Sequence, residues 1–368
     1  MSAQRRPAAE TPSLAARLQA RIRRDGPMSV ADYMQACLSD PSAGAYAARQ
    51  PIGQAGDFIT APEISQIFGE LLGLWCVAVW QSMGEPSSVT VAELGPGRGT
   101  LMADALRAWR TVPAFLDRVS IALVETSPIL REAQRTALMP SSAPRHWYQD
   151  GDALPDGPLI LLANEFIDAL PLRQLVCRGG EWRMRVVTLD DQGGFAFGEG
   201  DAIRDAGLPP APDGAILETR PAATALLASL AARAARAPVA ALIVDYGHDA
   251  SGFGDTLQAV AAHRFADPLA APGEADLSAH VDFAALKREA EALGLGAYGP
   301  MPQGEFLLKL GLGPRCDRLL ERATPEQREA IVSGAARLID PRQMGVLFKA
   351  LALTNGGLPA PPPFHSDI

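Results

Sequence analysis

Three acids and a glycine-rich turn are the residues best placed to do chemistry in this chain. The segment Glu93-Leu94-Gly95-Pro96-Gly97-Arg98-Gly99-Thr100 follows a short apolar run and precedes a helical pattern. Glycines at these spacings let the backbone turn sharply and let a ligand approach with no Cβ in the way. A ligand held there lies at the carboxyl edge of a parallel sheet, where open α/β folds bind small molecules. Glu125 ends the next apolar run, and a carboxylate at that place can accept both hydroxyls of an adenosine ribose. Asp152, with Ala153 beside it, lies in the polar loop after the third strand pattern, placed to accept from an adenine amino group. One such acid alone reads as a solvated strand end. Three of them at successive strand ends, together with the turn, favour a nucleoside site.

The turn is not a dinucleotide fingerprint. That motif needs GxGxxG, and its last glycine would fall on Thr100. The spacing is GxGxG with an acid two residues ahead, which resembles the class I methyltransferases that use S-adenosyl-L-methionine. That cofactor has no pyrophosphate, and Glu93 suits the amino group, or a water, at its methionine end. The expected cofactor residues are Glu93, Gly95, Pro96, Gly97, Gly99, Glu125, Asp152 and Ala153. Asn164-Glu165-Phe166-Ile167-Asp168-Ala169-Leu170-Pro171 follows the fourth strand, at the position that faces the transferred methyl. We count Asn164 with the cofactor, and Glu165 and Asp168 as catalytic. The two acids are three apart and share a face if the segment is a helical turn. A carboxylate pair can hold a planar guanidinium by forked hydrogen bonds. Arginine titrates above ~12, so carboxylates would orient it and take up charge rather than deprotonate it in advance. The transfer is an in-line displacement, in which placement supplies much of the rate. The competing reading makes Asn164 a helix cap with both acids near the positive helix end.

The elements that must position these residues alternate. Apolar strands are expected at 89–94, 119–124, 145–149 and 158–163, with helices over Thr100–Arg110 and Pro128–Leu138 between them. This predicts an α/β fold of the class I methyltransferase (Rossmann-like) type, a doubly wound sheet covered on both faces. Residues 172–198 read as an inserted antiparallel meander turning at Gly179-Gly180 and Gly193-Gly194. The alternation resumes with a helix over Pro221–Ala235 and a strand over 239–245. Further expectations are a capped helix over Asp276–Leu293, a helix over 325–339 and a last strand over 345–353. Ahead of the sheet, one helical stretch covers 13–40, and Pro62 opens a long helix to about Met83. The expected organisation is a flexible arm over 1–12, an N-terminal helical segment over 13–85, a core over 86–358 and an irregular tail over 359–368.

Composition narrows the partners. Of the 368 residues, 33 are Lys or Arg and 42 are Asp or Glu, a net charge of −9, which argues against a nucleic-acid partner. The four cysteines are scattered, with no metal-ligand spacing and no disulfide framework, so no metal site is expected. No apolar run reaches membrane-spanning length. Arginines crowd residues 1–24 with Glu10 as their only acid, the look of a mitochondrial transit peptide. Leu14, Leu18 and Ile22 instead recur on one helical face, which favours a first helix of the folded chain. The Ala- and Arg-rich composition suits a GC-rich bacterium, so a bacterial cytoplasmic protein is expected, with the mitochondrial matrix as the alternative. An Ala-rich helix at 222–235 leaves a homodimer open.

Five blocks in order carry a specific resemblance. They are the stretch Gly56 to Glu70 (GDFITAPEISQIFGE), ELGPGRGT, NEFIDALP, Val244-Asp245-Tyr246-Gly247, and Ala275 to Phe283 (ADLSAHVDF). Together, from about Leu14 to Leu353, the chain resembles the MidA-like methyltransferases, which include a mitochondrial factor needed for assembly of respiratory complex I. The resemblance implies S-adenosyl-L-methionine as cofactor and, for the mitochondrial member, methylation of a protein arginine, with a respiratory-complex subunit as a candidate protein partner. It adds Asp57 as a catalytic candidate and Thr60 as a cofactor residue, on a loop before the long helix. It leaves open a small-molecule acceptor, and an assembly factor that binds cofactor without turnover. His248, His280 and Asp282 read as structural groups, Tyr246 as a lining of the acceptor channel, and Trp75, Trp80 and Trp109 as core.

Overall fold

The computed structural model describes residues 12–48, 59–205 and 207–364. Seven strands build the central sheet: β1 (Val89–Leu94), β2 (Val119–Val124), β3 (Arg145–Tyr148), β4 (Leu159–Asn164), β5 (Val239–His248), β6 (Leu295–Pro302) and β7 (Phe348–Asn355). Their order is β6-β7-β5-β4-β1-β2-β3, and a short segment, Val281–Asp282, pairs beside the end of β5. β7 runs antiparallel to both its neighbours, while the other adjacent pairs are parallel. Every residue of β4 is buried, as a strand covered on both faces requires. The doubly wound α/β class read from the alternation is the one observed.

The order reverses at β1. The chain steps from β1 to β2 and β3 on one side, then returns to β4 on the other. Such a reversal is where open α/β folds form a ligand crevice, at the carboxyl edge of the sheet.

The helices include α1 (Leu14–Asp25), α2 (Val30–Ser39), α3 (Gln66–Ser82), α4 (Thr100–Trp109), α5 (Pro128–Leu138), α6 (Pro221–Ala234), α7 (Phe283–Ala292) and α8 (Pro325–Ile339). Alternate residues of each strand face opposite layers. Ile160 and Leu162 of β4 pack with Trp75 of α3 and Leu101 of α4, whereas Leu161 and Ala163 pack with Leu227 of α6 and Leu286 of α7. Trp75, Trp80 and Trp109 belong to the first layer, as expected. α3 and α4 cross closely, because a Cβ on Gly73 would stand 2.7 Å from Ala105 Cα. The Trp109 indole donates to the Gly73 carbonyl at 2.8 Å across the same crossing.

The meander has its three expected strands, Arg173–Arg178, Glu181–Leu189 and Phe195–Ala202. Two more join it. Ile216–Thr219 pairs with the first, and Met28–Ser29 pairs with the second, which ties the N-terminal segment to the insertion.

Several boundaries differ from the sequence reading. The stretch 13–40 is two helices, because Gly26 ends α1 and Ser29 caps α2 by accepting from Asp32 N at 3.0 Å. The helix opened by Pro62 breaks at Ser65 into Ala61–Ile64 and α3. Asp276 does not start a helix. Asp276–Ser278 is a strand paired with Gln258–Ala261, and α7 begins seven residues later, with Asp282 accepting from Ala285 N at 2.8 Å. Both aspartates carry a cap-like context, and pairing with the neighbouring strand decides between them. The last strand starts at Phe348, after a helical turn Met344–Leu347. No helix among the described residues is long and apolar enough to cross a membrane.

The crossing at Gly73 gives a direct check on this packing. Gly73→Ala pushes a methyl into backbone and lowers unfolding stability by about 2 kcal/mol, measured by denaturant titration. Unchanged stability would contradict the close approach.

Candidate active site

The turn after β1 carries three left-handed glycines, with φ of 58° at Gly95, 52° at Gly97 and 82° at Gly99. Such angles are costly for any residue with a Cβ. Space is tight as well, because a Cβ on Gly95 would lie 2.9 Å from the Phe166 ring and one on Gly99 3.2 Å from Gln134 Cα. The turn is held from α5. The buried Gln134 amide donates to Gly97 O at 2.8 Å and to Glu125 Oε2 at 3.2 Å, and its own oxygen accepts from the Trp147 indole at 2.9 Å. Glu125 Oε1 accepts from Ser127 N at 2.8 Å. A carboxylate has further lone pairs, so Glu125 keeps capacity for another donor. Burial raises its pKa.

Glu93 lies beneath the turn and is only 3% exposed. Its Oε2 has no hydrogen-bond partner among the described residues. Burial first, and the charge of Glu125 second, push its pKa up to about 8. A buried acceptor without a donor costs about 1–3 kcal/mol, which a bound donor would remove.

Asp152 and Ala153 stand on an exposed loop clasped to α6. Asp152 accepts from Ser229 Oγ at 2.8 Å, Ala153 N donates to Asp150 Oδ1 at 2.9 Å, and the Arg233 guanidinium donates to the carbonyls of Asp152, Leu154 and Pro155.

The segment after β4 departs from both sequence readings. Asn164 is the last residue of β4, and no helix follows it. Glu165 takes a φ of 48°, in the left-handed region, so Glu165 and Asp168 converge through a turn rather than along a helix face. Glu165 N donates to Val244 O at 2.8 Å, the last rung between β4 and β5. Its carboxyl Oε1 accepts from Ala61 N at 2.8 Å and Asn164 Nδ2 at 3.3 Å. Three buried oxygens there, Glu165 Oε2, Asp168 Oδ1 and Asn164 Oδ1, lack partners among the described residues. Burial, helped by the charge of Asp168, raises Glu165 to about 8. Asp168 is raised by burial too, with the Tyr246 hydroxyl and the Arg220 charge opposing.

Residues distant in sequence complete this pocket. Tyr46 donates to Asp276 Oδ1 at 2.9 Å, and the Asp276 charge also raises Glu165. Arg220 is held by the carbonyls of His280, at 2.7 Å, and Ala279, and burial lowers its pKa. Tyr246 packs against Phe348 and, edge-on at 5.5 Å between centroids, against His280. Thr60 starts the short helix Ala61–Ile64, and its hydroxyl makes no capping bond. In that helix Glu63 accepts from Thr100 Oγ1 and from Arg98 at 3.4 Å. One turn therefore bridges the glycine loop, through Glu63, and the Glu165 carboxyl, through Ala61 N. Asp57 lies outside the described residues.

The sequence reading missed Glu63, Gln134, Tyr46, Arg220 and the chemistry of Asp245 and Asp276. Asp245 alone carried a usable signal, since Asp245-Tyr246 ends an apolar strand at the same sheet edge as Gly95 and Asn164.

Residues 71–301 match the family described as "Putative S-adenosyl-L-methionine-dependent methyltransferase". The chain belongs to this methyltransferase family. Its cofactor is S-adenosyl-L-methionine. The chain is 38% identical over 385 residues to "Protein arginine methyltransferase NDUFAF7 homolog, mitochondrial" of Drosophila melanogaster, covering 95% of this chain and 86% of that protein. It is 37% identical over 369 residues to the human protein arginine methyltransferase NDUFAF7, covering 91% and 82%. A solved structure from Burkholderia thailandensis, bound to S-adenosyl-homocysteine, has a TM-score of 0.80 at 29% identity, with 94% of this chain and 92% of that one covered. The crevice of this methyltransferase suits the cofactor on its own evidence. Glu93 Oε2 and Asn164 Oδ1 are buried acceptors in want of a donor among the described residues.

The raised pKa of Glu93 has a consequence for stability. Its folded value of about 8 stands above the ordinary 4.5. The stabilisation is full below the unfolded value and is lost as pH rises through the folded one. In the ligand-free protein Glu93→Gln, which cannot ionise, loses less Tm than the parent between about pH 5 and about pH 8.5. Parallel Tm curves would contradict the burial of Glu93 as an acid.

Proposed function

We propose that this methyltransferase acts on an arginine side chain of a protein, with Glu165 and Asp168 meeting the guanidinium. The observation that carries the reading is the pair of buried oxygens, Glu165 Oε2 and Asp168 Oδ1, that have no partner among the described residues. Burial keeps Glu165 protonated to about pH 8 when no cation is present. A guanidinium, charged at any physiological pH, favours the ionised carboxyls and gives each free oxygen an N–H to accept. Fork-shaped donation fixes the plane of the acceptor and points one nitrogen toward the glycine turn. Glu165 Oε2 is then placed to take the proton that this nitrogen releases on alkylation.

S-adenosyl-L-methionine, when bound, supplies an electrophilic methyl on a sulfonium. In this reading Glu93, Gly95, Pro96, Gly97, Gly99 and Glu125 hold it, and Asp152, Ala153, Asn164 and Thr60 complete the set. Asp57 is carried as a third catalytic candidate on the family resemblance. The printed names of the Drosophila and human relatives, protein arginine methyltransferases, support an arginine acceptor. The resemblance to a complex I assembly factor makes a respiratory-complex subunit the first acceptor to test. Those relatives are named mitochondrial. For this chain we keep the bacterial cytoplasm, with the mitochondrial matrix as the alternative.

Transfer of labelled methyl to a cell lysate, followed by acid hydrolysis, tests the reading. The label is expected in methylarginine. Glu165→Gln retains the Oε1 contact to Ala61 N, so affinity for S-adenosyl-homocysteine stays within about twofold while turnover falls roughly 100-fold or more. Label in another residue, cofactor binding without transfer, or an unchanged rate in Glu165→Gln would contradict it.

A further inference from the structure

The loop carrying Glu165 and Asp168 is not held by its own side chains. It wraps one carboxylate oxygen of the neighbouring strand. Asp245 Oδ2 accepts from the backbone N–H of Phe166 at 3.2 Å, Ile167 at 2.9 Å and Asp168 at 3.1 Å. Asp245 Oδ1 accepts from Tyr246 N at 2.9 Å, which fixes the carboxylate plane. The residue is wholly buried, near the end of β5 and one step past the Val244–Asn164 pair. Three successive N–H groups converging on one point form the kind of backbone nest that binds anions. Here the acceptor is the chain's own carboxyl group.

We propose that Asp245 is a positioning residue of the transfer site, its Oδ2 drawing in three consecutive backbone N–H groups and so setting the loop on which Glu165 and Asp168 converge. The proposal rests on reading those two acids as the acceptor-side groups. Three features separate this role from general packing. Both Asp245 oxygens accept from backbone N–H groups and the residue is fully buried, so its role lies with the loop rather than with an acceptor. Glu165 sits in a left-handed conformation that an L-residue with a long side chain adopts only when surrounding contacts impose it. The far end of the loop is pinned as well, because Asp168 O accepts from Ala279 N at 3.2 Å and Arg220 at 3.4 Å. Between the β4–β5 rung at Glu165 N and this pin, Asp245 is the group that orders the intervening amides. The position also carries a polarity requirement. A carboxamide offers one acceptor oxygen and turns its N–H₂ toward either the three amides or Tyr246 N, where donor would face donor.

Amide hydrogen exchange on the full-length chain, combined with kinetics, tests this. In the wild-type protein the amides of 166–168 are expected to be protected. Free exchange of those amides, at the rate of a surface loop, would overturn the proposal without any variant. In Asp245→Asn the same amides exchange at least about tenfold faster, while β4 and β5 keep their protection. On any acceptor the wild type methylates, kcat falls about 30-fold or more, with affinity for S-adenosyl-homocysteine and KM for the cofactor within about twofold. Local loss of protection with unchanged kcat would overturn a positioning role. Protection lost along all of β5, with cofactor affinity lost in parallel, would assign Asp245 to fold stability alone and overturn it too. If the wild type places no label on arginine, the acceptor reading fails, while the exchange data still judge the cradle.

Discussion

Of four carboxyl groups at the carboxyl edge of the sheet, Glu93, Asp168 and Asp245 are buried, and Glu165 is half-buried with its Oε2 shielded from water. All four have pKa values raised, with burial the largest cause in each. Charges packed this closely at low dielectric cannot all be ionised. Arg220 faces Asp168 and Asp245, and it is itself half-buried. A fold keeps such an arrangement only where something repays its desolvation, and several of the oxygens concerned lack a donor among the described residues. Donors arriving from outside the chain resolve that imbalance. On the β1 side they belong to the cofactor, and on the β4 side, in our reading, to a cationic acceptor.

The two sides are coupled by the short turn Ala61–Ile64. Its first N–H holds the Glu165 carboxyl, and its Glu63 side chain holds Thr100 and Arg98 next to the glycine loop. The N-terminal segment is in turn stitched to the antiparallel insertion through Met28–Ser29. Elements added to the central sheet thus reach into the crevice and fix the two halves of the site relative to one another.

Much of this was legible before any coordinates. GxGxG after an apolar strand, with Glu93 ahead of it and Glu125 ending the next strand, is a local pattern with a local geometric cause. So is the alternation of strands and helices that gives the doubly wound class. What the sequence hid is tertiary. Asp276 and Asp282 look alike as helix caps, and only a strand partner at Gln258–Ala261 separates them. The helical turn expected at Glu165 fails because three backbone amides turn toward Asp245, a residue 77 to 79 positions away. Tyr46, Glu63 and Arg220 reach the site through chain reversals that no spacing rule encodes.

The most direct test of the central claim is a crystal structure of the protein soaked with S-adenosyl-homocysteine. The account predicts the ligand along the crevice between β1 and β4, its ribose at Glu125, its amino end giving Glu93 or Asn164 the donor each lacks, and its sulfur facing Glu165. Ligand bound elsewhere, or bound there with Glu93 Oε2 and Asn164 Oδ1 both still buried and unpartnered, would contradict it.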